Sequence, residues 1–345
     1  MKSFLGGVLV VLFSTLAFGQ TYPVPQEPER ISVNGYLAGE YAKSQSEGSL
    51  PLGSFQNPLL GLLLSGQPGP RITYQAEAAF SHGDRFDIRQ AWLRVQTASY
   101  LDLKLGLFVV PFGQFNESNL PHLTDTINLP LNIAYLFPNT WRDIGVTASG
   151  TISGLQYAAY IGNGLAEGES LDSGQQFKDN NRNKAWGARL GFALEEGISA
   201  DYSYHRGKYD DADSRDQIMQ AAAAAWNTQD FYIRIEFDHA RLETPDEFAD
   251  GEAWGYYIQT AMIWRNFRPV ASYQVLDYDD AFHGPGFTGA GTPGEGITQK
   301  KTRWALGAVI SFAPGAYFKF EYDINREKDQ EIENNMFLFQ VAVAF

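Results

Sequence analysis

Two stretches of this chain share one pattern. In FYIRIEFDHA, Arg234, Glu236 and Asp238 alternate with Phe231, Ile233, Ile235 and Phe237. In YFKFEYDI, Lys319, Glu321 and Asp323 alternate with Phe318, Phe320, Tyr322 and Ile324. Paired carboxylates are the raw material of general acid–base catalysis, while rows of charge along a conduit set ion preference. Catalysis finds no second component. The five histidines, His82, His122, His205, His239 and His283, show no catalytic spacing, and neither a His-Glu-x-x-His nor a Gly-x-Ser-x-Gly motif occurs. The acidic groups Asp210, Asp211 and Asp213, and Asp277, Asp279 and Asp280, have the oxygen chemistry for a divalent cation, but they sit in polar runs that read as solvated loops. No catalytic residue, metal or cofactor is assigned, and the chain is not read as an enzyme.

The elements that position these charges repeat from end to end. RITYQAEAAF, LDLKLGLFV, WGARLGFAL, RWALGAVISF and the closing FLFQVAVAF all place apolar residues at every second position. Period two means strands. The run Ala221–Ala225 has helical propensity, but its place in the series makes it a strand. The faces opposite the apolar ones carry Arg71, Glu77, Arg94, Lys104, Arg189, Asp201, Arg234, Glu236, Asp238, Arg268, Arg303, Lys319, Glu321 and Asp323.

The links between strands alternate in length. Short ones such as Ala313-Pro314-Gly315 and Glu195-Glu196-Gly197 follow long polar ones such as GKYDDADSRDQ and EKDQEIENN. The link near Ser81 to Asp84 is the exception, short where a long one was due. Short turns at one end and long loops at the other are the grammar of an outer-membrane barrel. Counting back from Phe345 gives sixteen strands between residues 31 and 345. The stretch 55–64 is the weakest of them, because NPLLGLLLS contains Pro58 and does not alternate. The even count keeps both ends on the periplasmic side.

Composition agrees. Net charge is −14, which disfavours nucleic acid as a partner. There is no cysteine, hence no disulfide and no thiolate metal site. Residues 1–19 read as a secretory signal: Lys2, an apolar run from Phe4 to Phe18, and a small-x-small site at Ala17–Gly19. The alternative, a membrane anchor, needs a longer run. Residues 20–345 are then one exported barrel domain. Mean hydropathy is −0.27 while aromatics reach 14%, as expected when only alternate residues face lipid. A soluble β-sandwich is the bland alternative, and the one-sided long loops argue against it.

The link after the fifth strand, PFGQFNESNLPHLTDTINLPLNIAYLFPNTWRDIG, is rich in Leu, Ile, Phe and Pro. Such a loop needs burial, and the lumen is the available place. Folded inward, it brings Asn116, Glu117, His122, Asp125, Asn128 and Asn132 to a constriction; the alternative is a loop capping a neighbouring subunit. GLFVVPFGQF followed by WRDIGVTASG, together with DIRQAWLRV, resembles the phosphate-selective porin O and P family, most clearly over residues 71 to 165. The resemblance implies a sixteen-stranded porin with an inward third outer loop, often trimeric, and it matches Arg142 and Asp143 to the family's Arg-Asp pair. The family's strand lysine is Val109 here, and Gln114 to Trp141 contains no Lys or Arg.

The expectation is therefore an all-β transmembrane barrel in the bacterial outer membrane. It passes small hydrophilic solutes or ions passively with weak selectivity, touches outer-membrane lipid and lipopolysaccharide, and forms a homotrimer by resemblance. The alternative from another class is a plugged structural or adhesion barrel whose outer loops bind partners.

Overall fold

The computed structural model describes residues 31–81, 85–194, 196–245, 248–283, 300–328 and 332–345. The leader read at 1–19 and part of the Ser81–Asp84 link lie outside the described residues. The alternating stretches form β1 (Ile31–Ser44), β2 (Ser54–Gly69), β3 (Ile72–Ser81), β4 (Arg85–Ala98), β5 (Leu101–Val109), β6 (Arg142–Ile152), β7 (Leu155–Gly162) and β8 (Ala185–Ala193). They continue with β9 (Ile198–Lys208), β10 (Asp216–Asn227), β11 (Phe231–Leu242), β12 (Gly251–Met262), β13 (Phe267–Asp280), β14 (Lys301–Ala313), β15 (Ala316–Glu327) and β16 (Met336–Ala344). Two short helices, α1 (Phe115–Ser118) and α2 (Leu131–Leu136), lie in the link after β5.

Each strand pairs antiparallel with its neighbours, and β1 pairs with β16 from Tyr36↔Ala344 to Ser44↔Met336, closing the barrel. Closure is what a membrane sheet requires, because no edge N–H or C=O can be left in hydrocarbon. The alternation sorts the faces. Leu62, Leu105, Leu190, Ile233, Trp304 and Phe337 are exposed on the outside, whereas Glu77, Glu236, Asp238, Lys319, Glu321 and Asp323 are buried on the inside. A charge on the outer face would cost about 2–4 kcal/mol at the bilayer midplane.

Two bulges explain where the pattern stumbles. The β1–β2 register shifts between Ala38 and Glu40, whose partners are Leu59 and Gln56. Asn57 (φ 50) and Pro58 fill that bulge, so the proline interrupts no ladder hydrogen bond. The second strand is real and runs on to Gly69, longer than 55–64. Its inner face carries Leu59 and Leu63, which is why it does not alternate. In β4, Glu77 faces Gln90 and Ala78 faces Ile88, leaving Arg89 as the extra residue. The alanine run is strand β10, with Ala221, Ala223 and Ala225 turned inward and buried.

The apolar core sits inside the barrel rather than between layers. Phe108, Phe112, Phe115, Leu131, Phe137 and Trp141, mostly from the β5–β6 link, pack with Tyr160, Met219, Ala221 and Tyr257 from the wall. Phe112 touches Trp141 and Phe137 at ring separations of 5.0 and 5.4 Å.

Candidate functional site

The link of residues 110–141 leaves the wall at Val109 and turns inward at Gly113. Gly113 has φ 59, and a Cβ there would lie 1.9 Å from Glu236 Oε1, so a side chain is excluded twice over. The Gly113 N–H donates to Ser203 Oγ at 3.1 Å, and its carbonyl accepts from Arg189 Nη1 at 2.9 Å. The next two N–H groups, of Gln114 and Phe115, both donate to Glu236 Oε2 at 3.0 Å. The Gln114 amide donates to Asp201 at 2.7 Å. Asn116 clamps the two ends of the loop: its Nδ2 donates to the Val110 and Trp141 carbonyls at 2.8 and 3.0 Å, and Trp141 N–H returns a bond to Asn116 Oδ1 at 2.8 Å.

Further on, the same chemistry recurs on β15. Ile127 and Asn128 N–H donate to Glu321 at 2.5 and 3.1 Å, and the Asn128 amide donates to Asp323 at 2.6 Å. Back on β11, the Asn132 amide donates to Asp238 at 2.5 Å. Both Glu-aromatic-Asp strands thus serve one purpose: the Glu takes two backbone N–H groups and the Asp takes an Asn side chain. Arg303 supports the second clamp, 3.5 Å from Asp323 and bonded to the Leu129 carbonyl at 3.1 Å.

The loop's own acidic groups are paired. Asp125 meets Arg268 at 2.9 Å and accepts from Tyr232 Oη at 2.5 Å. Glu117 meets Arg189 at 2.5 Å. Lys319 donates to Thr124 Oγ1 at 3.2 Å. His122 lies 5.3 Å from the Tyr36 ring; burial, reinforced by the Lys319 charge, holds its pKa below the ordinary histidine value.

This placement corrects several expectations. Glu236, Glu321 and Lys319 are buried beneath the loop and hold it, rather than lining open lumen. Asn116, Asn128 and Asn132 spend their amides on anchoring. Arg71 lies in the turn before β3, exposed, with its carbonyl accepting from Gln96 N–H at 2.8 Å; Pro70, one residue earlier, shares that turn, just beyond the end of β2. Asp143 is fully buried and accepts N–H bonds from Ile144, Asn163 and Gly164 at 2.7, 2.9 and 2.9 Å, so it fixes the start of the next outer loop. Arg142, also buried, pairs with Asp87 at 2.9 Å. Arg94, Lys104, Arg189, Arg234 and Arg303 remain on the inner wall, half-buried.

One functional residue was missed. Arg89, turned inward by the β4 bulge, pairs with Glu77 at 3.1 Å and donates to the Asn119 carbonyl at 3.2 Å. Its signal was present: the apolar phase moves from Phe86 and Ile88 to Ala91, Leu93 and Val95, which demands an extra residue between.

The loop divides the interior. Toward the long links, a cavity of about 460 Å³ is lined by Glu40, Asn57, Asp87, Arg89, Asn119 and Thr126. Toward the short turns lie one of about 500 Å³, lined by Lys104, Thr147, Arg189 and Asp201, and one of about 330 Å³, lined by Asp125, Arg234, Tyr257 and Gln259. Phe115 and Thr124 border the first and third, and Gln114 the second and third.

A closed antiparallel barrel with an apolar outside, a charged inside and a loop pinned to its inner wall defines a membrane channel protein of the diffusion type. The chain belongs to the Gram-negative porin family, whose model matches residues 7–344. It is a porin of the bacterial outer membrane and carries small hydrophilic solutes by passive diffusion. Its fold is similar to the Salmonella typhi OmpF solved in complex with daunomycin, at TM-score 0.67 and 12% identity over 91% of this chain and 97% of that one. It is also similar to the anion-selective porin of Comamonas acidovorans, at TM-score 0.65 and 12% identity over 92% of this chain and 100% of that one. The trimer form of OmpT, an outer membrane protein of Vibrio cholerae, matches at TM-score 0.66 and 10% identity over 92% and 100%. No curated protein matches the sequence.

Proposed function

We propose that this porin is a weakly selective channel in which residues 110–141 form the constriction and solutes pass between the cavities on its two sides. The observation that carries the reading is the loop's charge balance. Both of its carboxylates are matched by wall arginines, Glu117 by Arg189 at 2.5 Å and Asp125 by Arg268 at 2.9 Å, so the narrowest region offers a permeant ion little net field. Arg94, Arg234, Arg303 and Lys104 are then wall charges of the conduit.

The likeness to the phosphate-selective O and P porins extends, in this reading, to the loop's architecture and not to phosphate. The shared Pro-Phe-Gly and Arg-Asp residues, Pro111 to Gly113 and Arg142 to Asp143, do anchoring work, while Gln114 to Trp141 supplies no cation for a dianion. Trimer assembly is part of the proposal, supported by the trimer form of the Vibrio cholerae protein of like fold. So are outer loops in contact with lipopolysaccharide and a leader removed after Gly19, which N-terminal sequencing of the membrane-embedded protein checks. No catalytic step is involved.

Purified protein in planar lipid bilayers tests the main claim. Stepwise KCl conductance increments are expected. A barrel that inserts fully folded yet gives no steps would be a plugged structural barrel, and the reading would fall.

A further inference from the structure

The larger of the two cavities toward the short turns carries polar groups that the loop anchoring does not use. Thr147, Ser149 and Thr151 occupy successive inward positions of β6, and Gln156 of β7 and Ser199 of β9 face the same space of about 500 Å³. Among the described residues none of these five side chains makes a hydrogen bond, although each carries a donor and an acceptor. Opposite them stands Lys104, the direct cross-strand partner of Thr147. Its ammonium lies 4.8 Å from the centre of the Trp92 ring and has no ion-pair partner among the described residues.

The neighbouring charges are already committed. Arg189 is held by Glu117 and the Gly113 carbonyl, and Asp201 accepts from Gln114. What is left is one ammonium with no direct ion pair, on which the Glu117 and Asp102 carboxylates act only at longer range, beside a row of unspent hydroxyls. A half-buried ammonium without a direct counter-ion gains from an anion that reaches contact distance. A single point charge suits a monoanion, since phosphate recognition draws on several cations at once. Alternate residues of a strand stand about 6.7 Å apart, so the β6 hydroxyls form rungs along the direction of travel. Thr151 and Gln156 are themselves cross-strand partners at the lower end of the row.

We propose that this chamber is a transient binding site for small hydroxylated carboxylates, with Lys104 taking the carboxylate and Thr147, Ser149 and Thr151 taking the hydroxyls in succession. The inference rests on the porin reading, because the ligand is a permeant solute.

The test compares three probes on single channels carrying KCl current. Gluconate has the carboxylate and the hydroxyls, acetate only the carboxylate, and sorbitol only the hydroxyls. Gluconate is expected to reduce the current in a concentration-dependent manner at severalfold lower concentration than either of the others. Lys104→Gln is expected to abolish the difference between gluconate and sorbitol, and the pair Thr147→Val with Ser149→Ala to reduce that between gluconate and acetate. Equal action of sorbitol on the wild-type channel overturns the role of Lys104, and equal action of acetate overturns the hydroxyl row. Both comparisons need no variant to fold. Absence of KCl current altogether strikes the porin reading instead, so the two failures are told apart.

Discussion

At the residue scale the site is built from carboxylates that bind backbone rather than substrate. Glu236 shows why. Its buried carboxylate accepts the N–H groups of Gln114 and Phe115, just where Gly113 has turned the chain inward. Hydrogen bonds to a charged acceptor contribute about 1.5–3 kcal/mol each, and here two share one oxygen. Glu236→Gln keeps the shape but removes the charge and presents a donor to donors. The loop root should loosen by about 2 kcal/mol, read as larger current fluctuations within the open state; a trace as quiet as wild type would mean that Glu321 and Asn116 hold the loop alone. Asp210, in the outer loop after β9, offers a pH test. Burial pushes its carboxyl up, but hydrogen bonds from Ser214 and Arg215, with the Arg215 charge, outweigh it and leave the pKa below the ordinary carboxylate value. A depressed folded pKa contributes stability above the unfolded carboxylate range, and that stability is lost as pH falls through the folded value. Asp210→Asn should therefore speed proteolysis of residues 209–215 at neutral pH, and the difference from wild type should vanish in strong acid. These roles were not legible beforehand. Alternation places Glu236 and Glu321 on the inner face, but only the path of the loop decides whether an inward carboxylate meets water or an N–H group.

Elements were far more legible, because strand and lipid impose the same period. Sixteen strands, the alternation of short and long links and the strand nature of Ala221–Ala225 all follow from one rule: apolar residues out, every second position. The rule broke at Pro58 and at Arg89, and both sites are bulges, where one strand holds more residues than its partner opposes. A second device is visible only in three dimensions. Tyrosine side chains fill the space over cross-strand glycines: a Cβ on Gly61 would fall 2.0 Å from the Tyr36 ring, on Gly66 2.5 Å from Tyr74, and on Gly187 2.5 Å from Tyr160. Covering a glycine in this way restores packing that its missing side chain forfeits. The seam uses it too. Phe345 exchanges backbone bonds of 2.8 and 2.9 Å with Gly35, and its ring lies where a Gly35 Cβ would be, at 2.5 Å. Gly35→Ala should displace that ring and weaken closure between β1 and β16. The expected result is a lower melting temperature of the folded barrel in heat-modifiability gels, with Phe345→Ala giving a similar loss and the double variant little more. Additive losses would show that ring and glycine act separately.

For the whole molecule, the proposed weak preference between ions has to arise in a chain of net charge −14. Much of the acidity lies in outer loops such as GKYDDADSRDQ, where exposed charges are screened within about 8 Å at physiological salt. Inside, screening is weaker and pairing does the work. Glu117 and Asp125 face Arg189 and Arg268, Asp87 faces Arg142, and Glu77 faces Arg89. The wild-type channel should then give a small reversal potential in a KCl gradient. The balance can be broken one pair at a time. Arg189→Gln leaves Glu117 without its ion-pair partner, in the same cavity of about 500 Å³ as Asp201. A unit charge about 4 Å from a permeant ion contributes about 1 kcal/mol even at the dielectric of water, which is roughly a fivefold gain in occupancy for a cation and a roughly fivefold loss for an anion. Reversal potential should move toward the potassium limit, and Arg268→Gln, which uncovers Asp125, should move it the same way. Lowering the salt should enlarge both shifts as screening recedes. A variant that stays at the wild-type potential across that salt range would place the permeation path away from the loop's carboxylates, and with it the constriction.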